Sequence, residues 1–118
     1  MQYQSDYILR LIEQMGSLLR RALEQVSIGS DEESYEILSQ AVGLALDMDP
    51  DLAARVSAQS LVSLLGLNNV DDRVLGLVAE SLDAQAGILE GRGDLVEATI
   101  KREQAAAVRS VSDPSRAN

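Results

Sequence analysis

The chain contains no cysteine, histidine, phenylalanine or tryptophan. Without cysteine there is no disulfide, no thiolate metal site and no cysteine nucleophile. Without histidine a di-iron bundle, which needs Glu-x-x-His pairs, cannot be built. Aromatic residues amount to 3%, supplied by Tyr3, Tyr7 and Tyr35, so Leu, Ala and Val must fill the interior. Those residues suit helices, and the shortage of aromatic and β-branched side chains argues against sheet. No stretch approaches the ~20 consecutive apolar residues needed to cross a bilayer. The start of the chain is an amphipathic pattern with acids in it, not a basic segment followed by an apolar block. The expected location is the cytoplasm, with which the absence of cysteine agrees. The glycines are dispersed, so there is no phosphate-cradling loop, and the serines lie in no nucleophile elbow.

What is present is enough for one domain. The 118 residues are 46% apolar, and a chain of this size buries roughly two thirds of its extended surface on folding. We expect a single helical domain over residues 1–110 and a disordered tail over 111–118, where Ser112-Asp113-Pro114-Ser115-Arg116 has no apolar period. The net charge is −9, and it is unevenly spread. In residues 1–27, Arg10, Arg20 and Arg21 balance Asp6, Glu13 and Glu24, so the excess negative charge lies downstream. A negative body repels phosphate backbones and anionic headgroups, which excludes nucleic acid and membrane surfaces as partners. Arg20-Arg21 and Lys101-Arg102 are the adjacent basic pairs, and both are expected on solvated helix faces.

From Asp6 to Ser27 apolar residues recur with a helical period. They cover an arc of roughly 160°, wider than the ~100° stripe of a one-sided surface helix, so this helix should be covered on two sides. Gly29 ends it, and Ser30-Asp31-Glu32-Glu33 spells a capping box for a second helix with Tyr35, Leu38, Val42 and Ala45 inward. Asp49-Pro50 supplies an N-cap and a first-position proline for a third helix, which runs to about Leu65 on Ala54, Ala58, Leu61 and Leu65. Gly66 with Asn68-Asn69 supplies the following turn. Asp71 caps a fourth helix carrying Leu75, Val78, Ala79, Leu82, Ala86 and Leu89. Gly91-Arg92-Gly93 breaks it, and Asp94 caps a fifth, to about Ser110, on Val96, Ile100, Ala107 and Val111. The expectation is all-α: about five antiparallel helices with short loops. Gly16, Gly43, Gly76 and Gly87 fall inside these helices, at a cost near 1 kcal/mol each, for which close helix–helix approach is the expected reason.

Two landmarks resemble tetratricopeptide repeats. Ala45-Leu46-Asp47-Met48-Asp49-Pro50 is similar to the end of a repeat, and Gly93-Asp94-Leu95-Val96-Glu97-Ala98 to the start of a second helix. Repeats of about 34 residues place such a Gly about 17 or 51 residues after such a Pro, and the interval here matches neither. The resemblance therefore implies only helical-hairpin packing. The opening block Asp6-Tyr7-Ile8-Leu9-Arg10-Leu11-Ile12-Glu13 resembles that of a group of short bacterial helical proteins of uncharacterised function. It implies a bacterial, cytoplasmic helical domain and brings no activity with it.

Candidate chemistry thins out under inspection. Asp47, Asp49 and Asp51 could open a calcium loop, but the sixth position is Leu52, where Gly is needed, and the twelfth is Ala58, where Glu is needed. Asp31, Glu32, Glu33 and Glu36 are acids that the first turn of a helix already favours. Arg92-Gly93-Asp94 reads as a tight turn with a helix cap. No cofactor, metal or catalytic set emerges. The leading expectation is a non-enzymatic protein-interaction or assembly module. Its candidate interface is the face of the first helix made of Ile8, Leu11, Ile12, Met15, Leu18, Leu19 and Val26, offered to a second copy as a homodimer or to another protein. The competing expectation is that the other helices cover that face. A second reading is a small-molecule or peptide binder with a groove between helix pairs. A third, an enzyme acting through carboxylates alone, requires a buried acid with a raised pKa.

Overall fold

The computed structural model describes residues 2–67 and 70–111, all of whose regular structure is helical. The elements in chain order are α1 (Gln2–Ser27), α2 (Asp31–Leu46), α3 (Pro50–Ala54), α4 (Ala58–Leu67), α5 (Asp72–Arg92) and α6 (Leu95–Val111). The all-α expectation holds, with six helices where five were expected. The predicted tail began at 111, yet Val111 closes α6 and is buried. The rest of that tail, and the turn at Asn68-Asn69, lie outside the described residues. Among the described residues no helix is long and apolar enough to cross a membrane.

The extra helix arises because the predicted third one is cut at Arg55-Val56-Ser57. Asp49 caps α3 as expected, its carboxylate accepting from the Asp51 N–H at 2.9 Å, with Pro50 in the first turn. Ser57 then restarts the chain as α4. Its hydroxyl accepts from the Ser60 N–H at 3.1 Å, and its carbonyl from the Leu61 N–H at 2.9 Å. A serine with a free amide three residues on is an N-cap signature, and it outweighs a continuous apolar pattern.

Other ends follow the sequence more closely. Gly29 and Gly93 both adopt left-handed backbone, with φ of 85° and 86°, and end α1 and α5. The Asp71 carboxylate accepts from the Arg73 N–H at 2.8 Å and so caps α5. Ser30 stands at the N-cap of α2, but its hydroxyl makes no capping bond. The predicted capping box is therefore not formed, and the α2 start relies on Asp31, Glu32 and Glu33 against the helix dipole.

The centre of the molecule is α5, which packs against α6, α2 and α1, while α4 packs on α6 and α3 on α2. Every residue of the predicted α5 stripe, from Leu75 to Leu89, is buried. The main core joins Leu75, Val78, Ala79 and Leu82 to Leu11 and Met15 of α1, Val42 and Leu46 of α2, Leu61 and Leu65 of α4, and Ala105 and Val108 of α6. A second, smaller cluster gathers Ala22, Ile37, Leu38 and Ile88. On α6 the first half of the predicted stripe turns outward, with Val96 77% exposed and Ile100 exposed, while Val111 is buried as expected. Val111 shares the inner face with Ala98, Lys101, Ala105 and Val108. Alanines at 98 and 105 bring the α6 backbone close to α5, and this contact decides the face over the larger but outward Val96 and Ile100.

The glycine expectation holds in part. A Cβ at Gly43 would stand 2.9 Å from the Met48 carbonyl oxygen and 3.4 Å from Pro50. The neighbours are thus the turn that folds back after α2 and Pro50, the first residue of α3, so a close helix approach holds at Gly43. That turn is held by Asp47, left-handed at φ 53°, and by the Met48 N–H donating to the Gly43 carbonyl at 3.0 Å. A Cβ at Gly16 would meet only the Arg20 side chain, and at Gly76 or Gly87 nothing. Nothing in the structure explains glycine at 76 and 87.

Candidate functional site

The interface residues expected on α1 divide between core and surface. Leu11 and Met15 are buried, Met15 to 1% exposure, and Ile8 and Ile12 pack on the same core. Leu18 and Leu19 are half-buried on the smaller cluster, and Val26 is 41% exposed. Six of the seven thus pack on the two cores, and only Val26, toward the end of the helix, is exposed. The wide arc has margins that the chain leaves open: Tyr7, Leu9, Leu23 and Val26 are exposed.

A concavity lies beside one of these margins, between α1 and α2. A groove of about 840 Å³ is lined by Gln14, Ser17 and Leu18 of α1, by Gln40, Gly43 and Leu44 of α2, and by Asp47, Met48, Asp49 and Pro50. It continues into a recess of about 230 Å³ lined by Tyr7, Arg10, Leu11, Gln14, Leu44 and Asp47. Gln14, Leu44 and Asp47 border both, which makes them one channel. The wall residues on α1 recur at three- and four-residue steps, as do Gln40, Leu44 and Asp47 on α2, so each wall is one row of a helix. Ser34 donates its hydroxyl to the Ala22 carbonyl at 2.8 Å and is fully buried, pinning the two helices at the far end. Positions rise along α1 as they fall along α2, from Ala22 with Ser34 to Arg10 with Asp47, so the pair is antiparallel.

Chemically the lining of the channel is mixed, apolar and polar. Leu18, Leu44, Met48 and Pro50 give it hydrophobic surface, while Gln14, Ser17 and Gln40 offer both donors and acceptors. Asp49 spends one carboxylate oxygen on its own cap. Asp47, Asp49 and Asp51 form no calcium-type array: Asp47 ends α2 and Asp49 begins α3. Among the described residues no group of three His, Cys, Asp or Glu side chains could hold a metal ion.

A second polar site, which sequence reasoning missed, lies between α2, α5 and α6. Lys101 was expected in solvent, but it is 7% exposed and faces the Tyr35 ring at 5.9 Å, with Arg92 at 5.8 Å. Arg102, its neighbour, is exposed as expected. Burial lowers the Lys101 pKa, opposed by the Glu97 carboxylate. Burial raises that of the Tyr35 phenol; Glu97 adds to the rise and Arg92 opposes it. Beneath them the Gln85 amide donates to the Tyr35 carbonyl at 3.2 Å and to the Ser39 hydroxyl at 2.9 Å. Gln104 donates to the Val56 carbonyl at 2.6 Å, and its buried Oε1 has no partner among the described residues. The space between these groups is about 10 Å³, too small for an organic substrate, so this cluster ties helices together. The available signal was its spacing: Ala98, Lys101, Ala105 and Val108 follow helical steps, and a lysine stem covers apolar surface as well as a short hydrophobe does.

Comparison of the chain with models of known protein families, with curated proteins and with solved structures gives no match in any of the three.

Proposed function

We propose that this chain is a protein-interaction module that works without catalysis and receives its partner in the channel between α1 and α2. The observation that carries this reading is the channel itself, open between two helix rows that each offer both apolar and hydrogen-bonding side chains to it. Two antiparallel helices side by side offer the seat that a further helix fills by placing its ridge between them. The exposed apolar residues Tyr7 and Leu44 border the channel, and a partner helix would remove them from water. The acid–base alternative has less support. No carboxylate among the described residues is buried, and Asp71 and Glu90 are held below the usual carboxylate range by hydrogen bonds from Arg73 and Arg102. An acid catalyst needs the opposite displacement.

The test is amide chemical-shift mapping of the full chain, first on dilution and then against a panel of amphipathic helical peptides of varied charge. Perturbations should concentrate on Ser17, Gln40 and Leu44. They should vanish in Leu44→Glu, an exposed position where circular dichroism should show unchanged helicity. Shifts that move nowhere in the channel, on dilution or with any peptide, would remove the reading.

A further inference from the structure

Charges of opposite sign border the channel, Arg10 from α1 and Asp47 and Asp49 from the other side, and none of the three is in an ion pair among the described residues. Arg10, Arg20 and Arg21 of α1 are exposed and belong to no ion pair among the described residues. The segment 31–51 holds seven acids, among them Glu36, Asp47 and Asp49, and no basic residue; none of these is in an ion pair among the described residues either. The helix register sets these charges level with one another. Arg10 and Asp47 border the same recess, yet are not close enough to pair. One row further along, the steps from Arg10 through Gln14 and Ser17 reach Arg21, and those from Asp47 through Leu44 and Gln40 reach Glu36.

We infer that the occupant of this channel is a second copy of the same chain, related by a twofold axis running parallel to α1 and α2. Such an axis preserves the height of each residue along the helices and exchanges the two walls. Arg10 of each copy then meets Asp47 of the other, Arg21 meets Glu36, and Tyr7 and Leu44 are covered. A foreign basic helix would satisfy the α2 wall and set its cations against Arg10 and Arg21. A second copy satisfies both walls at once, and self-complementarity is what a twofold interface requires. The net charge of −9 opposes association from afar. However, the charges of α1 itself cancel, and physiological salt confines longer-range repulsion to about 8 Å.

This inference rests on the channel reading and is tested separately from it. The full chain is examined by sedimentation velocity over a wide concentration range at physiological salt. Arg21→Glu and Glu36→Arg are examined alone and mixed; both sit at exposed positions inside helices, and circular dichroism checks their fold. The wild type should approach twice its 12.7 kDa mass. Each variant should dimerise more weakly, by about tenfold, because two attractive pairs become repulsive. An equimolar mixture should regain a heterodimer of wild-type strength, since every introduced charge then meets its opposite. A wild type that stays monomeric overturns the inference, as does a dimer indifferent to both substitutions or a mixture that shows no rescue. If the chain is monomeric but peptides still shift the channel residues, the second copy falls and the channel reading stands. If both are silent, both fall.

Discussion

In the α5–α6 pair three ion pairs join the two helices. Arg102 bridges Asp83 and Glu90 at 3.0 and 2.9 Å, and Arg109 reaches Asp83 at 2.6 Å. In the α1–α2 pair charges of both signs stand in solvent and a channel remains open beside them. The two pairs also differ in core. Almost every apolar residue on the inner side of α5 is buried between three neighbours, whereas α1 packs chiefly on α2 and α5. A helix at the centre is specified by packing. A helix at the edge keeps surplus apolar and charged surface, and that surplus is where a partner can act.

The largest expected effect tests whether the centre dominates stability. Leu82→Ala, at a side chain 2% exposed in the main core, should cost about 3 kcal/mol of unfolding free energy in urea titration. Leu19→Ala, half-buried on the edge cluster, should cost less than half as much. Equal losses would abolish the contrast between the two pairs.

Two glycine substitutions sharpen it next, with opposite signs. Gly43→Ala drives a Cβ against the Met48 carbonyl, and thermal unfolding should show a loss of about 1–3 kcal/mol. Gly87→Ala, on the open side of α5 with nothing near it, should gain up to about 1 kcal/mol from helix propensity alone. A gain at 43 would mean that the turn behind α2 yields easily, and with it one wall of the channel.

The smallest effect concerns Lys101. Its pKa is lowered by burial in the folded state, so over the window between that lowered value and the ordinary lysine value near 10.5 the unfolded chain holds more protons. Stability contributed at this site therefore rises with pH through that window. Measured against Lys101→Met, which keeps the stem and removes the charge, the wild type should gain relative stability as pH climbs, by denaturant titration at successive pH values. A flat difference would show that the ammonium is fully solvated in the folded chain, contrary to its position under Tyr35.

Sequence alone was enough for helix type and for most helix ends. Asp49, Asp71, Gly29 and Gly93 act where expected, because a cap or a left-handed glycine is a local matter of a few backbone groups. The central stripe of α5 was legible for a related reason, its period being unbroken over the helix. Most misread features depended on a partner element. The break at Ser57 is the exception, a local N-cap that outweighs a continuous apolar pattern. The misread half of α6, with Lys101 inward and Val96 outward, follows from close approach to α5, which small residues permit and hydrophobicity does not announce. The predicted interface on α1 was a correct apolar arc whose middle, Leu11 and Met15, the chain itself consumes. The channel beside it could not be read from spacing at all. It exists because α1 and α2 meet at one register, pinned by Ser34 on Ala22, and that register is a property of two surfaces in contact.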